Sequence, residues 1–228
     1  MKDLFRRKNP SRIKLEEFIS NASQTLPSNS RILDAGSGEG MYRRFFSEKE
    51  YISIDLCKVT KAYGKLSAIS DLAMIPFLKN SFDVILCSQV LEHVNDPIIV
   101  LSELSRVLSP EGELWLSAPF FYEQHEIPFD YFRYTQYGLT HILEKAGFHI
   151  NKIGWLEGYT GSLAYQMSTA TYYYSKIRRN ILFFLIFKIF EYYFNSIESR
   201  SGPVEDLAPR LYGKNLIVIA TKFPTKIP

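Results

Sequence analysis

The chain has 228 residues, long enough for one domain with a sizeable core. Its 46% hydrophobic and 22% charged residues are ordinary for a globular protein, and a net charge of +3 excludes the basic field that a nucleic-acid partner needs. The two cysteines, Cys57 and Cys87, lack metal-ligand spacing; they exclude a disulfide framework and predict buried thiols in a reducing compartment.

In chain order, the first fourteen residues are basic (Lys2, Arg6, Arg7, Lys8, Arg12, Lys14), reading as a solvated arm. No apolar stretch follows, which predicts no signal peptide and a cytoplasmic protein, at most peripheral at the inner face of a membrane. A helix is expected over 11–25, with Ser11 as cap and Ile13, Phe18, Ile19 and Ala22 on its buried side. Strands are expected near 31–35, 51–55, 66–69, 82–87, 113–118, 148–155 and 215–222, and helices near 40–48, 97–108 and 136–146. The runs Val84-Ile-Leu-Cys87 and Asn215-Leu-Ile-Val-Ile-Ala220 suit strands buried on both faces. This alternation predicts an α/β fold, a Rossmann-like doubly wound sheet with ligands at the carboxyl ends of its strands.

The stretch Arg31-Ile-Leu-Asp-Ala-Gly-Ser-Gly-Glu-Gly40 runs an apolar strand into Asp34 and a glycine-rich turn. Glycines there let backbone approach a ligand, and a following helix would point free N–H groups at it. A dinucleotide site wants G-x-G-x-x-G beneath a pyrophosphate, whereas here the spacing is G-x-G-x-G beside a carboxylate. The carboxylate opposes a phosphate and suits a ligand with an amino group and sugar hydroxyls, as S-adenosylmethionine has. A second strand, Tyr51-Ile-Ser-Ile-Asp55, ends in another carboxylate placed for a ribose hydroxyl.

Further on come Asp71-Leu-Ala-Met-Ile-Pro-Phe77, Asn80-Ser-Phe-Asp-Val-Ile-Leu-Cys-Ser-Gln-Val-Leu-Glu-His-Val94, Leu101 to Gly112, and Glu113-Leu-Trp-Leu-Ser-Ala118. In that order the segments, over roughly residues 30–150, resemble the class I S-adenosylmethionine-dependent methyltransferases, in particular the type 11 small-molecule family. The resemblance implies a seven-stranded sheet with an antiparallel last strand and S-adenosylmethionine as cofactor, with no metal. It implies that Asp34 and the turn of Gly36, Ser37, Gly38 and Gly40 hold the methionyl end. Asp55, with Leu56, would take the ribose, Asp71 and Leu72 the adenine, and Ser88 and Gln89 would face the transfer region.

Methyl transfer needs alignment, exclusion of water and, for a hydroxyl acceptor, removal of a proton. His93 could serve as a base or as a positioning group. The segment Pro119 to Thr135 is the stronger candidate for acceptor chemistry. Its pattern His125-x-x-Pro128-x-Asp130-x-x-Arg133-x-Thr135 resembles a subgroup found among enzymes of bacterial surface-glycan and lipid-linked sugar assembly. His125 is a candidate base, with Asp130 orienting it or pairing with Arg133 in a loop-folding network. Tyr122, Tyr131, Arg133 and Tyr134 are candidate acceptor contacts. The acceptor is expected to be a small or lipid-linked molecule such as a sugar, O-methylated; a quinone-like phenol is the alternative, and a non-catalytic binding protein on the same fold is the competing class.

One departure from the family is an insertion at 157–213, helical and rich in aromatics, between the last two strands. The chain thus reads as one domain: an arm and helix over 1–28, a donor-binding core over 30–156, the insertion, and a final strand over 214–223. The run Ile181 to Phe194 is shorter than the ~20 residues a bilayer span needs. Lys188, Glu191, Asn195 and Glu198 fall on one narrow stripe of an otherwise apolar helix, so most of its circumference requires cover. Its own domain (as a lid), a second copy, or a membrane surface would supply it, the last two through residues 172–198.

Overall fold

The apolar runs pair side by side: β1 (Arg31–Ala35) lies parallel between β2 (Glu50–Asp55) and β4 (Phe82–Ser88), with Leu33 opposite both Ile52 and Ile85. These observations come from a computed structural model that describes residues 10–200 and 213–223. The basic residues Lys2, Arg6, Arg7 and Lys8 lie outside them. Adding β3 (Ala68–Ile69), β5 (Leu108–Pro119), β6 (Phe148–Trp155) and β7 (Asn215–Lys222) gives one seven-stranded sheet in the order β3-β2-β1-β4-β5-β7-β6, with the last strands antiparallel. The centre of the sheet is dry: Ile32, Leu33, Ile54, Ile85, Leu86, Cys87, Leu114 and Leu116 are essentially inaccessible. That is what a sheet covered on both faces requires.

The covering helices begin where the sequence supplies caps. Asp96 accepts from the Ile99 N–H at 3.1 Å, with Pro97 at the first turn of α2 (Pro97–Val107). Its side chains Val100, Leu101, Leu104 and Val107 are all buried. Thr135 caps α3 (Gln136–Lys145) by accepting from Gly138 N–H at 3.0 Å.

Three expectations are corrected. No helix spans 40–48; a four-residue 3-10 turn, Arg43–Phe46, stands there instead. Gly36, Gly38 and Gly40 all have positive φ, so the turn continues past the point where a helix would begin, and β2 starts at Glu50. The fifth strand starts at Leu108 rather than 113: Leu108 pairs with Phe82 and Glu113 with Val84, and an irregularity takes up the residues between. Cys57 is partly exposed in a left-handed conformation, whereas Cys87 is buried as expected.

The described residues fall into two units, one of 19–153 with 216–223 and one of 10–18 with 154–200 and 213–215. In the second, α4 (Tyr159–Tyr172) runs through a π-helical turn, Tyr173–Ile177, towards α5 (Ile181–Arg200), and the two helices pack together. α5 is inverted. Its buried side chains are Phe184, Glu191 and Glu198, at heptad spacing, so the polar stripe faces inward. Ile181, Leu182, Ile189 and Tyr192 are 62–77% exposed. Among the described residues, then, this apolar face is left uncovered. The cause is visible at α4, whose first turn has no cap of its own: the Glu198 carboxylate accepts from Gly158 N–H (2.9 Å), Gly161 N–H (2.9 Å) and the Thr160 hydroxyl (2.5 Å). Glu191 pairs with Lys188 at 3.0 Å.

Because Glu198 satisfies three donors at a buried helix start, Glu198→Ala should cost about 2–3 kcal/mol, read as a lower midpoint of chemical unfolding. An unchanged midpoint would show that water replaces the carboxylate.

Candidate active site

The glycine turn is fastened to the neighbouring strand. Gly36 N–H and Ser37 N–H donate to Ile54 O at 2.9 and 3.1 Å, and Gly38 N–H donates to Asp55 Oδ2 at 2.9 Å. The other Asp55 oxygen accepts from Cys57 N–H at 2.9 Å. A Cβ on Gly36 would lie 2.5 Å from Val90 Cγ2, so only glycine permits this approach to the loop after β4. At Gly38 and Gly40 a Cβ would meet neighbours at 3.8–4.0 Å, an ordinary contact, so it is their positive φ that calls for glycine.

A cleft of about 350 Å³ opens at the carboxyl ends of β1, β2 and β4, with Gly36 on its wall and Gly38 and Gly40 off it. It falls within the range of small-molecule sites. Of the residues expected to hold a donor, Gly36, Asp55, Leu56, Asp71, Leu72 and Gln89 line it. Asp71 fixes its own loop by accepting from Ala73 N–H at 2.9 Å, and Leu72 is buried beside it. Gln89 has φ +57 and donates its Nε2–H to Ser117 Oγ at 3.3 Å. Ser88 lies off the cleft wall, 3.1 Å from Ser117 Oγ and 3.3 Å from the Tyr42 hydroxyl. The Ser37 hydroxyl is buried beneath the turn.

Asp34 is also beneath the turn, 2% exposed, and accepts a hydrogen bond from the Tyr51 hydroxyl. Burial pushes its carboxyl up to about 7; the Tyr51 hydrogen bond opposes the rise and Asp55 adds to it. Tyr51 is a partner that sequence reasoning missed, although the alternation Tyr51-Ile-Ser-Ile-Asp55 carries it.

The acceptor-side loop is tied together by Asp130. Arg133 grips that carboxylate with both terminal nitrogens, at 2.7 and 2.8 Å, and the His125 backbone N–H donates to it at 2.9 Å. The Arg133 hydrogen bonds hold the Asp130 carboxyl well below the usual range. Arg133 also donates to the Tyr122 and Glu123 carbonyls, at 3.2 and 3.1 Å. Its guanidinium is thus a loop clamp. Tyr134 is corrected as an acceptor contact: it is 7% exposed and its hydroxyl donates to Leu91 O at 2.8 Å. Tyr131 is 45% exposed, and the Tyr122 ring packs edge-on against His125, centroids 4.9 Å apart.

The two candidate histidines meet. His93 lines the cleft, its Nε2 lies 3.1 Å from His125 Nε2, and its Nδ1 faces Phe129 O at 2.7 Å. Burial holds the His93 imidazole below its ordinary value, against the pull of the Phe129 carbonyl. Behind them sits Glu92, fully buried, with no hydrogen-bond partner on either side-chain oxygen; burial raises its carboxyl to about 8. Glu92 stands out in sequence as a charge inside an apolar stretch, yet it was not read as a site residue. Lys61 and Glu126, paired at 2.5 Å, join the loops after β2 and β5 at the cleft, and no sequence motif announced them.

The folded chain keeps the Asp34 proton up to about pH 7, whereas the ordinary value is 3.8. This contribution to stability is full below that ordinary value and is lost as pH rises to 7. Asp34→Asn removes the titration. Its stability relative to wild type should therefore grow by roughly 2–3 kcal/mol between about pH 5 and about pH 8, read from urea unfolding at both. A pH-independent difference would overturn the assignment.

Residues 33–116 match the family model described as "Methyltransferase domain". A ubiquinone biosynthesis O-methyltransferase of Xanthomonas oryzae pv. oryzae (strain PXO99A) is 31% identical over 103 residues, 39% of this chain and 42% of that protein. An uncharacterized methyltransferase of Mycobacterium sp. (strain KMS) is 32% identical over 108 residues, 42% of this chain and 41% of that protein. The alignments thus span less than half the length of these curated relatives. Among solved structures, the cyclase SpnF superposes with a TM-score of 0.60 at 18% identity, over 91% of this chain and 80% of that one. A Haemonchus contortus phosphoethanolamine N-methyltransferase 2 in complex with S-adenosyl-L-methionine superposes with a TM-score of 0.56 at 17% identity, over 91% and 52%. The cleft suits such a cofactor, since Asp55 and Asp71 offer acceptors on its wall and Gly36 brings backbone to it. Residues 33–116 are thus similar to a methyltransferase domain, and the chain shares the Rossmann-like fold of solved S-adenosylmethionine-dependent methyltransferases.

Proposed function

We propose that the chain is an S-adenosylmethionine-dependent O-methyltransferase that acts on a hydroxyl of a small or lipid-linked acceptor, such as a sugar of a surface glycan. The observation that carries this reading is one cleft lined by Asp55, Asp71 and His93, with the His125 imidazole 3.1 Å behind His93. The bound donor supplies an electrophilic methyl carbon. Asp55 accepts from the ribose hydroxyls while its hydrogen bonds hold the turn against the methionyl chain, and Asp71 accepts from the adenine amino group. His93 Nε2, on the cleft wall, takes the acceptor's proton, and Tyr131 offers an exposed ring to a sugar face. Asp130 acts as the loop's anchor.

A quinone-like phenol is the second acceptor class, favoured by the relatives named for ubiquinone biosynthesis. The exposed apolar side of α5 supports a greasy or membrane-held acceptor in either case. Among the described residues no helix is long and apolar enough to cross a membrane. At the start of α5, Lys176, Arg178 and Arg179 are exposed, which suits anionic headgroups beside an apolar face.

Asp55→Ala should weaken S-adenosylhomocysteine binding at least tenfold in calorimetry, and wild-type chain should transfer labelled methyl to glycan precursors or catechols; a folded wild type that does not bind would sink the enzyme reading. The chain should sediment with phosphatidylglycerol vesicles and lose this in Arg178→Glu/Arg179→Glu. Dimerisation without vesicle binding would give the face to a second copy instead.

A further inference from the structure

The two imidazoles meet at one nitrogen each, with a buried carboxylate beside them. His93 Nδ1 faces the Phe129 carbonyl oxygen at 2.7 Å, and His125 Nδ1 faces the Glu123 carbonyl oxygen at 3.2 Å with Asp130 Oδ2 at 3.4 Å. Both therefore carry their proton on Nδ1, since the alternative sets lone pair against lone pair. With both protons on Nδ1, the two Nε2 atoms stand 3.1 Å apart with no proton between them, a conflict that a shared proton or a bound metal ion removes. The Glu92 carboxylate, fully buried and without a hydrogen-bond partner, is aimed at the same point: Oε1 is 3.9 Å from His93 Nε2, and one ligand atom from each of the three residues lies within 4.8 Å of the others. A buried carboxylate left unpartnered is costly, and a bound cation would remove that cost.

We propose that Glu92, His93 and His125 form a binding site for a divalent transition-metal ion of the zinc class at the acceptor end of the cleft. Two nitrogens and one carboxylate oxygen are the donor set of a three-ligand site with an open fourth position. With bonds of ~2.0–2.1 Å the edges of a tetrahedron are roughly 3.3 Å, close to the observed separation of the two nitrogens. The carbonyl contacts at each Nδ1 are the outer partners that hold metal-binding histidines in tautomer and orientation. Glu126 Oε2, 4.0 Å from His93 Nε2, lies at the rim beside the open position. The inference deepens the acceptor-end reading, because a hydroxyl that binds at the open position would ionise more readily. It revises one role in that reading: with the ion bound the imidazoles ligate it, and the acceptor hydroxyl gives its proton to solvent in place of His93.

The test is zinc binding by the untagged full chain after chelator treatment, measured by competition with a chromophoric chelator and by the visible spectrum of the cobalt(II) form. Folding is checked by circular dichroism and a cooperative thermal transition, and S-adenosylhomocysteine binding is followed in parallel. One equivalent of zinc is expected, weakened ten- to a hundredfold in both Glu92→Gln and His125→Ala, with the cobalt spectrum lost. No stoichiometric binding by folded wild type would overturn the proposal, as would affinity unchanged in both variants. Zinc binding without S-adenosylhomocysteine binding would uphold the metal site and sink the donor reading, so the two fail separately.

Discussion

The donor side of the cleft depends on one fastening, the Asp55 carboxylate between Gly38 N–H and Cys57 N–H. Three residues at positive φ make a turn that no ordinary helix start would hold, so its shape must come from outside. The end of β2 provides it, with Ile54 O taking two turn N–H groups and Asp55 a third. The same carboxylate lines the cleft, so the group that would meet a ligand's hydroxyls also sets the backbone beneath it. Binding and architecture are joined at one side chain.

The donor half was legible because its information is local. Strand runs of Val, Ile and Leu, glycines at fixed offsets and carboxylates at strand ends are features of consecutive residues, and β1, β2, β4, β6 and β7 stand where their patterns put them. The helix expected after the turn failed because propensity there is overridden by glycine conformations that continue through Gly40. The start of β5 was hidden for a similar reason. Ser-Pro-Glu-Gly reads as a loop, but pairing with β4 is set by the partner strand and absorbs the extra residues in an irregularity.

On the acceptor side the residue types were visible but their partners were not. His125, Asp130 and Arg133 share a short segment, and the clamp between the last two follows from their spacing. The meeting of His93 with His125, thirty-two residues apart, and the isolation of Glu92 behind them are tertiary facts. Tyr134 shows the same limit in the other direction. Its ring type suits sugar stacking, but its hydroxyl is spent on Leu91 O in the core.

The insertion follows a different logic. Hydropathy predicts that a helix turns its greasy side inward, yet α5 turns its polar stripe inward because α4 begins without a cap and needs an acceptor for three donors. Glu198 can reach them only if its stripe, with Glu191 and Lys188, faces α4. The three donors that Glu198 satisfies are worth about as much as burying one of Ile181, Leu182 or Ile189, at ~1.5–3 kcal/mol each. The apolar face that the described residues leave outside thus goes with internal hydrogen bonding rather than against it: the stripe that satisfies α4 is the stripe that turns Ile181, Leu182 and Ile189 outward.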